Sequence, residues 1–124
     1  MAHSMEKSIQ KTRFEIADLQ KRIAVLEATK EDLERQIRKL HDSVPEDEVS
    51  PNAHKEGYVA YGSYASSVIE RKKNLRQSLD DIIDQTADLA ENLRTSLDAL
   101  DSFERVKARQ MAAKAEKAMA KRAG

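Results

Sequence analysis

Histidine, cysteine and carboxylate side chains are the groups that most often bind metal ions or transfer protons in catalytic sites. The sequence contains no cysteine, which excludes disulfides, thiolate metal ligands and cysteine nucleophiles. Its three histidines, His3, His41 and His54, have no neighbouring set of ligand residues at metal-binding spacing. We therefore expect solvated histidines and no metal site.

Paired acids are present, but their spacing does not suit acid/base catalysis. Glu31 and Asp32 are adjacent in the sequence, as are Asp80 and Asp81, so on a helix the members of each pair point in different directions. The sequence has no glycine-rich phosphate-binding loop. A coiled-coil face also offers no water-excluding pocket in which a pKa could be shifted. We predict a protein that is not an enzyme and has no catalytic or cofactor-binding residues.

Three tyrosines at three-residue spacing, Tyr58, Tyr61 and Tyr64, would lie along one side of a helix. One interpretation is that they pack against Leu40 and Val44, at the end of the preceding helical segment. The other is an exposed aromatic surface that binds a partner protein, because tyrosine provides much contact area at low entropic cost. Both interpretations stay open at the level of sequence.

The C-terminal segment is basic, although the whole chain has 22 basic and 22 acidic residues. After Glu104 its only acid is Glu116. The basic residues of this segment are Arg105, Lys107, Arg109, Lys114, Lys117, Lys121 and Arg122. Nucleic acid, an anionic membrane surface and an acidic protein are partners that such a segment suits. It lacks aromatic residues for base stacking and bulky residues for membrane insertion, which favours a solvated helix or a protein partner.

A heptad repeat of apolar residues predicts a first long helix over residues 5–42. Thr12 and Lys30 are the two interruptions of the repeat. The residues before Met5, 1–4, are interpreted as a vector-derived leader. The apolar seam positions are Ile9, Ile16, Leu19, Ile23, Leu26, Leu33, Ile37, Leu40 and Val44.

Residues 43–57 contain Pro45, Pro51 and Gly57, and they are predicted to form a flexible connection. Helical periodicity then resumes over residues 58–124, with Lys72 and Thr86 among the interruptions. The second seam consists of Ala65, Val68, Leu75, Leu79, Ile82, Leu89, Leu93, Leu100 and Phe103. Three further apolar residues, Ile69, Ile83 and Leu97, widen its stripe.

Two helices joined by a short connection favour antiparallel packing, so the predicted fold is all-α, an antiparallel coiled-coil hairpin. If Asp42 lies opposite Tyr58, equal counting along both helices places Ile9 near Leu93. The second helix would then project beyond Leu93. The projecting apolar stripe would consist of Leu97, Leu100, Phe103 and Val106, and a second copy or a partner would have to cover it.

The composition agrees with this architecture. Charged residues make up 35% of the 124 residues and aromatic residues 4%, which is too few bulky groups for a globular core but enough for a coiled coil. No run of about 18 apolar residues is present, so we expect no membrane insertion. The absence of cysteine suits a reducing cytoplasm.

Two segments resemble those of a known protein family. Residues 12–27, TRFEIADLQKRIAVLE, together with 32–37, are similar to the first helix of the FliJ family of flagellar export proteins. Residues 61–75, YGSYASSVIERKKNL, resemble its aromatic entry into the second helix, followed by a basic Asn-Leu step. The resemblance extends in order over nearly the whole chain, and residues 58–75 are its most distinctive part.

This resemblance implies a cytoplasmic component of the flagellar type III export apparatus, peripheral to the inner-membrane export gate. Its partners would be the export ATPase ring, the membrane export gate protein and substrate chaperones, with no nucleic acid. By similarity, the gate would bind Tyr58, Tyr61, Tyr64 and Val68. The stripe at Leu97, Leu100, Phe103 and Val106, with the basic tail, would suit the ATPase.

Two other functions compete with this one. Isoleucine at one seam position with leucine at the other is typical of parallel dimers, which favours an obligate homodimeric structural coiled coil without transient partners. A prefoldin-like holding chaperone would need strand-forming residues between the helices, and residues 43–57 lack them. A domain-swapped dimer of extended chains would also satisfy the same heptads.

Overall fold

The chain forms two long α-helices that pack against each other. The computed structural model describes residues 2–43 and 55–123 and, within them, the side chains of residues 4–43 and 62–123. Helix α1 comprises Ala2–Ser43 and helix α2 comprises Lys55–Ala123. The fold is therefore an all-α helical hairpin, as the heptad repeats predict.

The helix ends differ from the predicted boundaries by a few residues. Helix α1 begins at Ala2 and not at Met5, so it includes most of the predicted leader, where alanine is a strong helix former. It also contains Ser43, whose hydroxyl donates to the carbonyl of Leu40 at 2.9 Å. Helix α2 already begins at Lys55. The predicted connection 43–57 is therefore helical at both ends, and its residues 44–54 lie outside the described part of the chain.

The chain divides into two compact units, which we call the terminal unit (Met1–Ile23 with Asp88–Gly124) and the middle unit (Ala24–Ala87). In the terminal unit two ion pairs join the helices: Glu6 with Lys107, and Arg13 with Glu104 at 3.0 Å. From the first ion pair to the second, the residue number rises along α1 and falls along α2, so the two helices run antiparallel here. Between these pairs lies Ile9, the most buried apolar residue of α1.

These ion pairs show that the predicted pairing of Ile9 with the region of Leu93 is wrong. Because Ile9 lies between Glu6 and Arg13 on α1, it faces the part of α2 between Glu104 and Lys107. A slip by whole heptads leaves the same residues in the seam, so the repeat alone could not select the register. The stripe from Leu97 to Val106 consequently lies beside α1 and does not project beyond it.

In the middle unit the end of α1 packs against the beginning of the α2 seam. Ala65 and Val68 form a buried cluster, and Leu40 packs against it. One helical turn later Lys72 is fully buried, and its ammonium nitrogen lies 3.2 Å from Nδ1 of His41. The middle-unit register also differs from the prediction, since it is Lys72 and not Tyr58 that lies beside the end of α1.

Two threonines within the seams, Thr12 and Thr86, have hydroxyl groups that donate hydrogen bonds to the preceding helical turn. Thr12 is buried, and its hydroxyl donates to the carbonyl of Ser8 at 2.7 Å. In the middle unit the Thr86 hydroxyl donates in the same way to the carbonyl of Ile82 at 2.7 Å. Such bonds to the preceding turn let a threonine occupy a seam position without leaving a buried donor unpaired.

Candidate partner-binding surfaces

Tyr64 is the exposed member of the predicted aromatic surface whose side chain is described. It lines a shallow groove of the middle unit with a volume of about 290 Å³. The groove is lined by Gln36, Lys39, Leu40, Ser43, Tyr64 and Arg71. The Tyr64 ring borders the same groove as Leu40 and still presents more than half of its surface to solvent. A side chain in this position can contact a partner without first leaving a core.

The other predicted residues of this surface have different positions. Val68 is buried in the cluster with Ala65 and Leu40, so it supports the helix pair and offers almost no surface to a partner. Tyr58 and Tyr61 belong to α2, but their side chains lie outside the described part of the structure. Val44, the other predicted packing partner of the tyrosines, also lies outside it. The described aromatic surface therefore consists of Tyr64 with the polar rim of its groove.

The second predicted surface, in the terminal unit, is mostly covered. Leu100, Phe103 and Val106 are only partly exposed, because α1 runs beside them. Leu97 is the exception, with 45% of its surface exposed. The structure thus brings these four residues to the paired part of α2, and only Leu97 has the exposure that the partner-binding prediction requires.

The basic tail is an exposed charged surface of the terminal unit. Every residue of α2 from Ala108 to Ala123 is exposed. Glu6, near the beginning of α1, pairs with Lys107, so the turns of α2 after Lys107 continue past the paired region. The exposed turns carry Arg109, Lys114, Lys117, Lys121 and Arg122 against the single acid Glu116. They form a helix with net positive charge and one pair of large apolar residues, Met111 and Met119.

The pKa of Glu6 is lowered from its ordinary value of 4.5. The main cause is the hydrogen bond from the Lys107 ammonium group, followed by the positive charge of Lys107, and Arg13 adds a smaller effect. Lys107 is thus paired within the chain and does not belong to the exposed part of the basic tail. Its role in this structure is to join the two helices of the terminal unit.

Neither a cluster of metal ligands nor a membrane-spanning helix occurs in the described residues. Within 2–43 and 55–123, no three histidine or acidic side chains are grouped closely enough to hold a metal ion. His41 lies beside the buried Lys72, while His3 and His54 have no described side chain. Neither helix, over its described length, contains a segment apolar enough to cross a membrane.

Met111 is an exposed apolar residue of the terminal unit that the sequence analysis did not assign to a surface. Met111 follows Leu97 by the same interval that separates Ile69 from Ile83 and Ile83 from Leu97. This regular spacing of two heptads could have pointed to Met111, but the residue lies in a segment that consists mainly of charged residues and alanine.

Comparison with known proteins adds no relative. Among protein-family models, curated proteins and solved structures, none matched the chain. The resemblance to flagellar export proteins therefore stays a prediction that depends on the residues quoted for it.

Proposed function

We propose that this chain is a non-enzymatic coiled-coil component of the flagellar type III export apparatus that binds the export ATPase, the export gate and substrate chaperones. The observation that carries the proposal is the exposed basic end of α2, which continues beyond the ion pair of Glu6 with Lys107. A helix pair with one projecting charged helix is suited to inserting into a partner assembly, while the paired part keeps that helix in place.

The composition of the projecting helix favours a protein partner. Isolated helices of this length are marginally stable in water, even when they are rich in alanine, so docking would be what orders residues 108–123 fully. The segment has no aromatic residue to stack on nucleic-acid bases. Its two large apolar residues, Met111 and Met119, are few for insertion into a membrane. An acidic protein surface matches the remaining feature, a row of solvated lysine and arginine side chains.

On the basis of the resemblance to the FliJ family, we propose that this acidic protein is the export ATPase. In that family the hairpin resembles the stalk of a rotary ATPase and is placed within the ATPase ring. The same resemblance proposes the aromatic surface for the export gate and for chaperone traffic. On the described side chains, Tyr64 is the residue of that surface available for contact, and Tyr58 and Tyr61 complete it in the proposal.

The test is sedimentation of the full chain with a candidate export ATPase at several salt concentrations. Lys114→Glu with Lys117→Glu should weaken binding by about tenfold or more, and the wild-type affinity should fall with added salt. Lys7→Glu with Lys11→Glu is the matched control, because both are exposed lysines of α1 in the same terminal unit. The control should bind like the wild type.

Two results would contradict the proposal. One is the absence of any complex with the ATPase, and the other is equal loss of binding in the tail and control variants. A tight dimer that ignores the ATPase would instead support the alternative of a structural coiled coil. Leu100→Asp and Phe103→Asp are unsuitable as binding tests, because both residues are partly buried beside α1 and their replacement would destabilise the helix pair.

A further inference from the structure

Three lysines of the terminal unit repeat at one heptad position of α2. Lys107, Lys114 and Lys121 are seven residues apart, and they continue the seam position occupied by Leu93 and Leu100. We call these three residues the lysine row. The seam side of α2 thus changes from leucine to lysine along the terminal unit. Because an ammonium group is costly to bury without a partner, this side requires a neighbour of different chemistry from an apolar seam.

The first residue of the lysine row shows what such a side chain binds. Lys107 is partly buried, and its ammonium group pairs with the carboxylate of Glu6 on α1. Helix α1 runs antiparallel to α2 at this point. A carboxylate on a neighbouring antiparallel helix therefore satisfies a lysine at this heptad position.

The other two residues of the row repeat this position without such a neighbour. Lys114 and Lys121 are exposed, and neither forms an ion pair with another described residue. Because they follow Lys107 by one and two heptads, they lie on the same side of α2, about 10 Å and 21 Å further along the helix. Within the described chain they lack the carboxylate that Lys107 has.

Small or flexible apolar residues border the lysine seam on both sides. Met111 and Ala118 lie on one side, and Ala113 and Ala120 lie on the other. Short side chains at these positions allow a second helix to approach α2 closely. The border therefore favours a helical partner.

We infer that Lys114 and Lys121 bind an acidic helix that lies antiparallel to α2 and carries carboxylates seven residues apart. Lys121 pairs with the carboxylate nearer the N-terminus of that helix, and Lys114 pairs with the one nearer its C-terminus. The inference rests on the proposed function, because it takes the basic tail as the surface that binds a partner. It adds the chemistry, the spacing and the direction of that partner.

Charge complementarity and its location on the helix select this occupant. Carboxylates at heptad spacing match ammonium groups at heptad spacing, as the pair of Lys107 with Glu6 does within the chain. A nucleic-acid backbone would also supply negative charge. It would contact Arg109 and Arg122, which by their heptad positions point away from the lysine seam, as readily as the lysines.

A synthetic acidic helix is the probe for this inference. It is an alanine-rich peptide with two glutamates seven residues apart, and its control peptide has the same composition with the glutamates on opposite sides of the helix. Titration of the full chain with each peptide, followed by NMR at physiological ionic strength, gives the dissociation constants. The heptad peptide should bind about fivefold more tightly than the control. Equal affinities, or no saturable binding at millimolar peptide, would overturn the inference.

Two matched variants of the chain test which side of the tail binds. Lys114→Gln with Lys121→Gln should raise the dissociation constant of the heptad peptide by about tenfold. Arg109→Gln with Arg122→Gln removes the same charge from the same segment and should raise it by less than about threefold. Glutamine is a good helix former, so neither variant weakens the helix itself. Equal losses in the two variants would show that charge alone matters, which contradicts the inference.

Charge exchange tests the direction of the bound helix. Lys114→Glu should weaken binding of the heptad peptide, and replacing the C-terminal glutamate of the peptide by lysine should restore it. Replacing the N-terminal glutamate should not restore binding to this variant. Recovery with the N-terminal exchange instead would indicate a parallel helix and overturn the inference.

Sedimentation of the two glutamine variants with the candidate export ATPase separates this inference from the proposed function. If both variants lose the ATPase equally, the ATPase remains the partner and the inference is wrong. If no ATPase complex forms but the peptide results hold, the proposed function is wrong and the acidic-helix site remains. Self-association of the chain that only Lys114→Gln with Lys121→Gln abolishes would assign the lysines to a second copy and overturn the inference. A short single-stranded DNA that binds more tightly than the heptad peptide would also overturn it.

Discussion

The ammonium group of Lys72 lies 3.2 Å from Nδ1 of His41, and Lys72 has no exposed surface. A lysine at a single seam position fixes the register of a coiled coil at some cost in stability, because its charge loses water. We therefore expect Lys72→Met to raise the free energy of unfolding by about 1 kcal/mol or more. Urea unfolding followed by circular dichroism measures the change.

Lys73→Met is the matched control for this substitution. Lys73 is the next residue of α2 and is exposed, so its replacement should change the free energy of unfolding by less than about 0.5 kcal/mol. A lower stability of Lys72→Met would show that the contacts of the buried ammonium group outweigh the cost of its dehydration.

The ion pair of Glu6 with Lys107 makes the terminal unit sensitive to acid. Folding lowers the pKa of Glu6 below 4.5, so protonation of this carboxylate favours the unfolded chain. Its stabilising contribution is complete above pH 4.5 and is lost as the pH falls through the lower pKa of the folded state. Carboxylate titration by NMR should give Glu6 a pKa below 4.5 in the wild type and a value closer to 4.5 in Lys107→Met.

A second measurement isolates the effect of this pair on stability. Acid lowers the free energy of unfolding partly through Glu6, and this part of the decrease should be absent in Glu6→Gln. Glu15→Gln, which changes an exposed residue of the same helix, should retain it. Equal pH profiles of unfolding for Glu6→Gln and the wild type would contradict the linkage.

Gly62 is a poor helix former within α2, and no packing contact requires a glycine at this position. It is helical, it does not adopt positive φ, and a Cβ atom built there would meet no heavy atom within 4 Å. Gly62→Ala should therefore stabilise the chain by about 0.5–1 kcal/mol, since alanine loses less backbone entropy on folding. Thermal unfolding should show a higher midpoint. An unchanged or lower midpoint would mean that this turn does not unfold with the rest of the helix or that alanine introduces a clash.

The register of the terminal unit predicts a specific chemical crosslink. A zero-length carbodiimide should join the Glu6 carboxylate to the Lys107 amine, and mass spectrometry of peptides should identify the product. Lys107→Arg should abolish the crosslink while retaining the ion pair. Mixing isotopically light and heavy chains distinguishes crosslinks within a chain from those between chains. A dominant product that links Glu6 to a different lysine would show that the register is wrong.

Much of this fold follows from the order of residues alone. Period-3.5 spacing from Ile9 to Leu40 and from Ala65 to Phe103 identifies two amphipathic helices, because each buries one narrow seam and solvates the rest. The breakers around Pro45 and Pro51 separate them. Even the exposed basic tail is visible in the sequence, since a segment without large seam residues has nothing to bury.

The tertiary structure decided the register and, with it, which surfaces are accessible. A shift by whole heptads keeps the same seam, so only the pairing of Glu6 with Lys107 and of Arg13 with Glu104 shows that α1 covers the stretch near Phe103. The same packing buries Val68 and leaves the neighbouring Tyr64 exposed. Periodicity specifies which face of each helix is apolar. Burial also depends on which residues of the other helix lie opposite, and this register exists only once the two helices are packed.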